Sequence, residues 1–453
     1  MISPQTYKAI ILGAGPAGLF AAIRLAEANP EERPGSGILI LERREKPARK
    51  LLLSGSGQCN LTHAGEIADF LGHYGGGAKA ESAARFLKPA LYAFTNEELL
   101  AWFRARGIEF ETEDSGKIFP ADRRATSILK ILQDEAYRLG VRVIANSRAS
   151  AISARAPDGF LVRVETRAPD ASRIPDASGA SNIPEAPDAA EYAAPLVLIA
   201  TGGLSYPKTG SSGDGYALAA SLGHRIVPPR PALAPVFIRN FALNPLAGLS
   251  FRDAGLAILR DGKRAFLAEG DLLITHGGLS GPLILDSSRH IAPGDSLEIN
   301  FVDVTIEEFR NRLDAELKSN PRRLVRTALA DLGLTKNMAE LFCDLAGIAK
   351  EETAAALPRA KRETLCRFAC AHLFEVTRLG SLEVAMVTAG GVDLAEVNPG
   401  TMESRLIPGL FFAGEVLDID GDSGGYNLQA AFSTGSLAAK GMSISKAGSD
   451  PNF

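Results

Sequence analysis

The fold is decided by Ala9-Ile10-Ile11-Leu12-Gly13-Ala14-Gly15-Pro16-Ala17-Gly18 and the apolar run Ile38-Leu39-Ile40-Leu41-Glu42 that follows it. A continuous apolar run fits a strand buried on both faces, as the centre of a parallel sheet requires. The glycines then open a helix through Ala28, and the second run supplies the next strand. Gly13 permits a tight turn, Gly15 has no Cβ to keep a pyrophosphate away from the backbone, and Gly18 lets the helix pack on the strand. A pyrophosphate would then sit at the helix N-terminus, where free N–H groups and the macrodipole favour negative charge. Glu42, twenty-four residues beyond Gly18, is placed to accept hydrogen bonds from a ribose diol. Strand, glycines, helix, strand and acid in register predict a dinucleotide site.

Composition sets the limits around this unit. A chain of 453 residues exceeds one ordinary core, so two or three domains are expected. A net charge of −4 gives no electrostatic case for nucleic acid or anionic membrane. No apolar run reaches the roughly 18 residues of a membrane span, and no secretory signal precedes Lys8, so a cytoplasmic protein is expected. Cys59, Cys343, Cys366 and Cys370 make neither a disulfide framework nor, with the histidines, a metal site. Cys366 and Cys370 read as buried thiols on one helix face, and Cys59 as a packed thiol.

After Glu42 the segment Arg43-Arg44-Glu45-Lys46-Pro47-Ala48-Arg49-Lys50 is basic. Arg43 could stack on an adenine and Lys50 could neutralise a phosphate. Leu51-Leu52-Leu53 looks like a strand entering the small-residue loop Ser54-Gly55-Ser56-Gly57-Gln58-Cys59-Asn60, with His63 expected at the surface. Residues 81–139 read as mainly helical, 141–144 as a further parallel strand, and Ala149–Ile152 with Phe160–Val164 as a hairpin. Composition turns to Ala, Pro, Asp and Ser over 168–195, too poor in bulky apolar groups to offset ordering entropy, so a flexible insertion is expected. A buried strand ends in Ala200-Thr201-Gly202-Gly203, followed by Ser205-Tyr206-Pro207 and a helix capped by Asp214. From about 228 to 304 the period is two, with an Asp261-Gly262 hairpin signal and the turn Thr275-His276-Gly277-Gly278. Thr305 to Glu308 resembles a capping box, and 305–375 reads as several helices.

The last segment supplies a second ligand-facing element. A strand ends in Gly414-Glu415, and the glycine-rich turn Gly421–Tyr426 opens a helix from Asn427. A Gly-acid strand end suits a ribityl chain, and a helix N-terminus can face the pyrimidine edge of an isoalloxazine. An NAD-only dehydrogenase has no need of this element, so the pair argues for FAD. The fold class expected is α/β: a Rossmann-like FAD-binding domain with an inserted antiparallel β-barrel and a small helical bundle. The expected boundaries are 1–215 for the first part, 216–304 for the barrel, 305–375 for the helices and 376–453 for the closing part.

The strings GAGPAGL, KLLLSGSGQCNLTH, ATGGLSYPKTGSSGDGY, THGGLSGP, TAGGVDLAEVNPGTMES and GLFFAGEVLDIDGDSGGYNLQAAFSTG occur in this order along nearly the whole chain. Together they resemble the bacterial aminoacetone oxidase family of FAD-binding enzymes, the BaiN/YhiN-type NAD(P)/FAD-dependent oxidoreductases. Ser56, Gln58 and His63 depart from that family's SGGGRCNxTN pattern. The resemblance implies FAD held by Gly13 to Gly18, Glu42, Arg43, Lys50, Ser54, Gly55, Asn60, Ala149, Thr201, Gly202, Gly414, Glu415, Gly425, Tyr426, Asn427 and Leu428. It implies a small-molecule substrate reduced through flavin, with NADH or NADPH as transient donor. An amine oxidase that produces peroxide and a flavin-dependent RNA-modifying or RNA-binding protein are the alternatives. His276 and Tyr206, both in Gly-rich turns expected to border a cleft, are the candidate proton donors.

Overall fold

The computed structural model describes residues 4–28, 37–75, 80–155, 159–166 and 189–447. The chain divides into two compact units, one formed by 1–231 with 386–453 and the other by 232–385.

The first unit is built on a five-stranded parallel sheet. Its strands are β1 (Ala9–Leu12), β2 (Ile38–Leu41), β3 (Arg142–Ile144), β7 (Leu196–Ile199) and β8 (Leu410–Phe412), in the order β8-β7-β1-β2-β3. Every residue of β1, β2, β7 and β8 is buried, which explains their unbroken apolar sequences. Helix α1 (Pro16–Glu27) leaves β1, and the long helix α3 (Tyr426–Ala447) packs against it. The contact is backbone-close: a Cβ on Gly435 would stand 2.6 Å from the Ala17 carbonyl oxygen. Strands β4 (Ser147–Ala154), β5 (Phe160–Thr166) and β6 (Ala189–Ala194) form an antiparallel meander, and Gln5–Thr6 adds to β6 in parallel.

Part of the segment expected to be a flexible insertion is therefore strand: residues 189–194 are β6, held by a full ladder to β5. The remainder, through residue 188, lies outside the described residues. The Leu51–Leu53 run is not a strand. It begins a 3-10 segment, Leu51–Gly57, which turns through left-handed Gly55 and Ser56. Nor does Asp214 cap its helix: Gly213 is the N-cap of α2 (Asp214–Ser221), and Asp214 is its first residue.

The second unit is a closed six-stranded barrel in the order 236–238, 278–280, 263–275, 250–260, 296–300 and 372–379. Its last strand, His372–Leu379, comes after the helices 306–319, 325–331, 336–345 and 359–370, so the helices interrupt the barrel. The expected boundary at 375 falls inside that strand, whose buried residues alternate as His372, Phe374 and Val376. The boundary at 216 falls inside α2, which belongs to the first unit, and that at 376 falls ten residues short of Met386. Thr305 caps the helix Ile306–Ser319 by accepting the Glu308 N–H at 3.2 Å. Among the described residues no helix is long and apolar enough to cross a membrane, and no His/Cys/Asp/Glu group could hold a metal ion.

Candidate functional site

The turn after β1 is shaped by three glycines with different constraints. Gly13 takes φ +101, and a Cβ there would lie 2.5 Å from the Ala200 carbonyl oxygen. A Cβ on Gly18 would lie 2.0 Å from the Gly13 carbonyl oxygen, so only glycine lets α1 start this close to the turn. Gly15 is the N-cap of α1 in extended backbone and has nothing within 4 Å of where a Cβ would be. Pro16 has no N–H to leave orphaned, and the N–H groups of Gly15, Ala17 and Gly18 have no acceptor among the described residues. The result is open space bordered by free donors at a helix N-terminus, an arrangement that suits an anion.

Glu42 closes one side of that turn. Its carboxylate accepts the Ala14 N–H at 2.9 Å and the Arg44 N–H at 2.8 Å. Burial pushes this carboxyl upward, opposed by the amides of Arg44 and Ala14 and the nearby guanidinium groups. The Ser147 N–H donates to the Glu42 carbonyl oxygen, which places the start of β4 beside the end of β2. Ala149 is half-buried there, at a shift in the β4–β5 register.

The basic segment behaves differently from its sequence expectation. Arg43 bonds Ser212 and pairs with Asp214 at 2.8 Å, and Arg148 reaches the same carboxylate at 3.2 Å. A guanidinium fork matches a carboxylate better than an adenine face, so Arg43 is held by protein. Arg44 donates to the Pro207 carbonyl at 3.3 Å. Lys50 donates to Ser205 Oγ at 2.6 Å and to Glu415 Oε2 at 2.5 Å, so its charge is answered by a carboxylate and not left for a phosphate. The whole segment therefore fastens the loop after β7.

That loop begins at Thr201, whose hydroxyl is buried without a partner, and at Gly202, with φ +73. A Cβ on Gly203 would meet Thr388 Oγ1 at 2.4 Å. Thr388 Oγ1 accepts the N–H groups of Leu204 and Ser205 at 2.8 and 2.9 Å. Glu415 Oε1 accepts the Thr388 N–H at 2.9 Å and the Ser205 hydroxyl at 2.8 Å. Ser205 and Thr388 were missed in the sequence. Their strings, ATGGLS and TAGG, stand out, but nothing in their spacing says that the two segments meet. Tyr206 follows with φ +52, held by Thr209 N–H and hydroxyl bonds to its carbonyl at 2.8 and 2.7 Å. Its half-buried hydroxyl has no partner among the described residues.

The opposite edge is the start of α3. Gly424 and Gly425 have φ +111 and +101, and a Cβ on Gly425 would lie 2.6 Å from the Thr62 backbone. Asn60 bridges these strands, its amide oxygen accepting the Gly425 N–H at 3.3 Å and its nitrogen donating to Thr62 and Ile118 carbonyls. Tyr426 is buried with its ring stacked between His63 and His73, centroids 5.1 and 4.1 Å away. His63 is thus half-buried, with its ring packed on Tyr426. The Asn427 side chain is committed to its own loop, accepting the Gly421 N–H at 2.8 Å and donating to the Gly421 and Asp422 carbonyls. What Tyr426 and Asn427 contribute is a rigid helix start; the backbone N–H groups of Asn427 and half-buried Leu428 have no acceptor among the described residues. Ser54 donates to the Leu51 carbonyl at 2.6 Å beside left-handed Gly55, and Gly414, with φ +73, donates to Thr434 Oγ1 at 3.0 Å. Cys59 is buried, its thiol pushed up to about 12 by desolvation, consistent with packing. His276 lies at an exposed hairpin tip of the other unit.

Free amides at two helix starts, an orphaned hydroxyl at the end of β7 and open space over Gly15 fit FAD as the bound group.

The chain belongs to the HI0933-like Rossmann family of FAD-binding proteins, whose profile matches residues 7–187 and 185–441. It is 31% identical over 450 residues to a Haemophilus influenzae protein named ribosomal RNA dihydrouridine synthase, covering 98% of this chain and 99% of that protein. It is equally 31% identical over 439 residues to the 3-dehydro-bile acid delta(4,6)-reductase of Clostridium scindens, covering 95% and 97%. Among solved structures, a quinol-fumarate reductase with menaquinol is similar in fold at TM-score 0.50 and 15% identity, over 100% of this chain and 73% of that one. The chain is an FAD-binding oxidoreductase of the BaiN/YhiN type.

Proposed function

We propose that this FAD-dependent oxidoreductase adds hydride and a proton across a carbon–carbon double bond conjugated to a carbonyl in a small organic acceptor, with NAD(P)H recharging the flavin. The observation that carries the reading is the start of α3, where free N–H groups follow two left-handed glycines. A helix N-terminus favours negative charge, and a reduced flavin that accumulates anionic character at its pyrimidine edge is the hydride donor such a reduction needs. The names of the two relatives support the same reaction type, since a bile-acid Δ4,6-reductase and a dihydrouridine synthase both saturate a double bond conjugated to a carbonyl.

Within this reading the amides of Gly15, Ala17 and Gly18 bind the pyrophosphate, and Glu42 binds the adenosine ribose. Glu415 orients the ribityl chain. Tyr206 delivers the proton from its hydroxyl, which has no partner among the described residues. Bound FAD supplies the hydride.

The Haemophilus influenzae relative's name favours a second acceptor, uracil within ribosomal RNA. The net charge of −4 weighs against it, because RNA affinity draws on phosphate neutralisation. Anaerobic mixing with NADH and then NADPH, followed by an enone steroid or unmodified ribosomal RNA, separates these readings. Flavin absorbance should bleach with the nicotinamide and return with the enone. Return only with RNA would transfer the proposal to RNA. Failure to bleach with either nicotinamide, with bleaching by a primary amine, would establish an amine oxidase instead.

A further inference from the structure

We infer that Lys50 is a positioning residue for the flavin half of the cofactor: paired with Glu415, it reads one hydroxyl of the ribityl chain. The inference rests on Glu415 facing that chain and not on what the flavin later reduces.

An ammonium group has three N–H donors and no acceptor. Lys50 uses one donor on Ser205 Oγ and one on Glu415 Oε2, which leaves one. Glu415 Oε1 is filled by the Thr388 N–H and the Ser205 hydroxyl. Among the described residues Oε2 receives only Lys50 and keeps an open lone pair. Both side chains remain partly exposed, 24% for Lys50 and 21% for Glu415, so the free donor and the free acceptor sit side by side and reachable. A group that fits must accept from the ammonium and donate to the carboxylate through one atom. A hydroxyl does both. A phosphate oxygen does not: it has no proton for Glu415 and would meet a carboxylate whose charge already balances the lysine.

The surroundings fix the pair in place. Ser205 bonds both members, Thr388 Oγ1 holds the Leu204 and Ser205 amides, and the Ser205 hydroxyl lies 3.3 Å from the Met386 carbonyl. Lys50 also stands at the far end of the segment that starts at Glu42. One stretch of chain thus carries a carboxylate for the ribose of ADP and an ammonium for the ribityl chain.

The test is equilibrium binding to FAD-stripped protein, read by quenching of flavin fluorescence. The ligands are FAD and analogues lacking one ribityl hydroxyl at a time, with ADP as a competitor. Wild-type protein should bind FAD about tenfold or more better than one of the analogues, the size of a hydrogen bond to charged groups. Lys50→Met should weaken FAD, lose most of that preference and leave ADP affinity unchanged. Lys50→Gln, neutral and polar, serves as the second variant, with the same expectation; a thermal melt of each stripped variant establishes that it is folded. Retention of the full preference in both variants would overturn the inference, as would an equal loss of FAD and ADP affinity, the signature of a phosphate ligand. Failure of any nicotinamide to bleach the flavin would sink the reductase reading while leaving these affinities as they are.

Discussion

Two glycines three residues apart in one turn should respond to the same substitution in opposite ways. Gly15→Ala places a methyl where nothing lies within 4 Å, in backbone any residue adopts, so the folded protein accommodates it. The cost to folding is the loss of a tolerated N-cap residue for a poor one, about 0.5–1 kcal/mol. The methyl does occupy the path of the pyrophosphate over the α1 amides. Losing that close approach should weaken FAD by about a hundredfold or more, which is about 2.7 kcal/mol. Gly18→Ala puts its methyl 2.0 Å from the Gly13 carbonyl oxygen and 3.3 Å from Ile11 Cγ2. Ordinary contact needs more than an ångström of extra separation, and the clash is with backbone of the turn that joins β1 to α1. Overpacking of this kind costs about 1–3 kcal/mol. Thermal melts of FAD-stripped proteins and FAD titrations should therefore cross over: Gly15→Ala melts close to wild type and binds FAD poorly, while Gly18→Ala melts lower with or without cofactor. Wild-type FAD affinity in Gly15→Ala would mean that the pyrophosphate does not pass over this residue. An unchanged melt in Gly18→Ala would mean that the helix and the turn are not in the contact described.

His372 is buried within a ring of Phe301, Phe342, Phe368 and Phe374, and desolvation lowers its pKa to about 4. The unfolded chain takes up the proton near 6.5 and the folded one refuses it, so stability should fall as pH drops from 6.5 through 4, by about 3 kcal/mol. Urea unfolding followed by far-ultraviolet circular dichroism should show this slope flattened in His372→Leu; equal slopes would contradict it. The lone tryptophan, Trp102, lies in the other unit and would not report it. Asn427→Ala removes the three bonds that hold Gly421 and Asp422, and should weaken FAD by about tenfold through a loosened α3 start. Tyr206→Phe should leave the melt and FAD affinity unchanged while slowing flavin reoxidation by an enone by about a hundredfold, the lower range for loss of a general acid. Unchanged reoxidation would remove Tyr206 from the chemistry.

What the sequence made legible was local. The β1–turn–α1–β2 unit was readable because its strands, glycine spacing and closing acid fall within thirty-five residues, and the Gly18 constraint comes from Gly13 and Ile11 inside it; the contact that constrains Gly13, with Ala200, was not visible. Gly414-Glu415 and the glycine turn before α3 stood out as sequence patterns, although the residues that confine them, Ala17, Lys50 and Thr62, lie far along the chain. The misreadings share a different cause. Arg43 and Lys50 looked available for adenine and phosphate because their partners, Asp214, Ser205 and Glu415, lie far along the chain. Tyr426 and Asn427 looked like ligand-facing side chains, and only the folded loops show the rings of His63 and His73 and the Gly421 backbone that engage them. The barrel's closing strand was hidden behind the helices that separate it from the other five. Leu51–Leu53 has strand composition, but Gly55 and Ser56 in left-handed backbone curl the segment instead.

The order of strands in the parallel sheet bears on how the protein is made. Strand β8, which flanks β7, and helix α3, which covers α1, are contributed by the last forty-odd residues. On a ribosome the N-terminal strands and the entire barrel unit emerge first, and throughout that time β7 has an unpaired edge and α1 an uncovered face. The nucleotide-binding fingerprint, first to be synthesised, is therefore the last part to be finished. A nascent chain stalled between about residue 200 and residue 410 would carry the complete motif without strand β8 and helix α3, and an exposed strand edge open to pairing with other chains. Truncation near the C-terminus should accordingly yield aggregation and not a weaker enzyme.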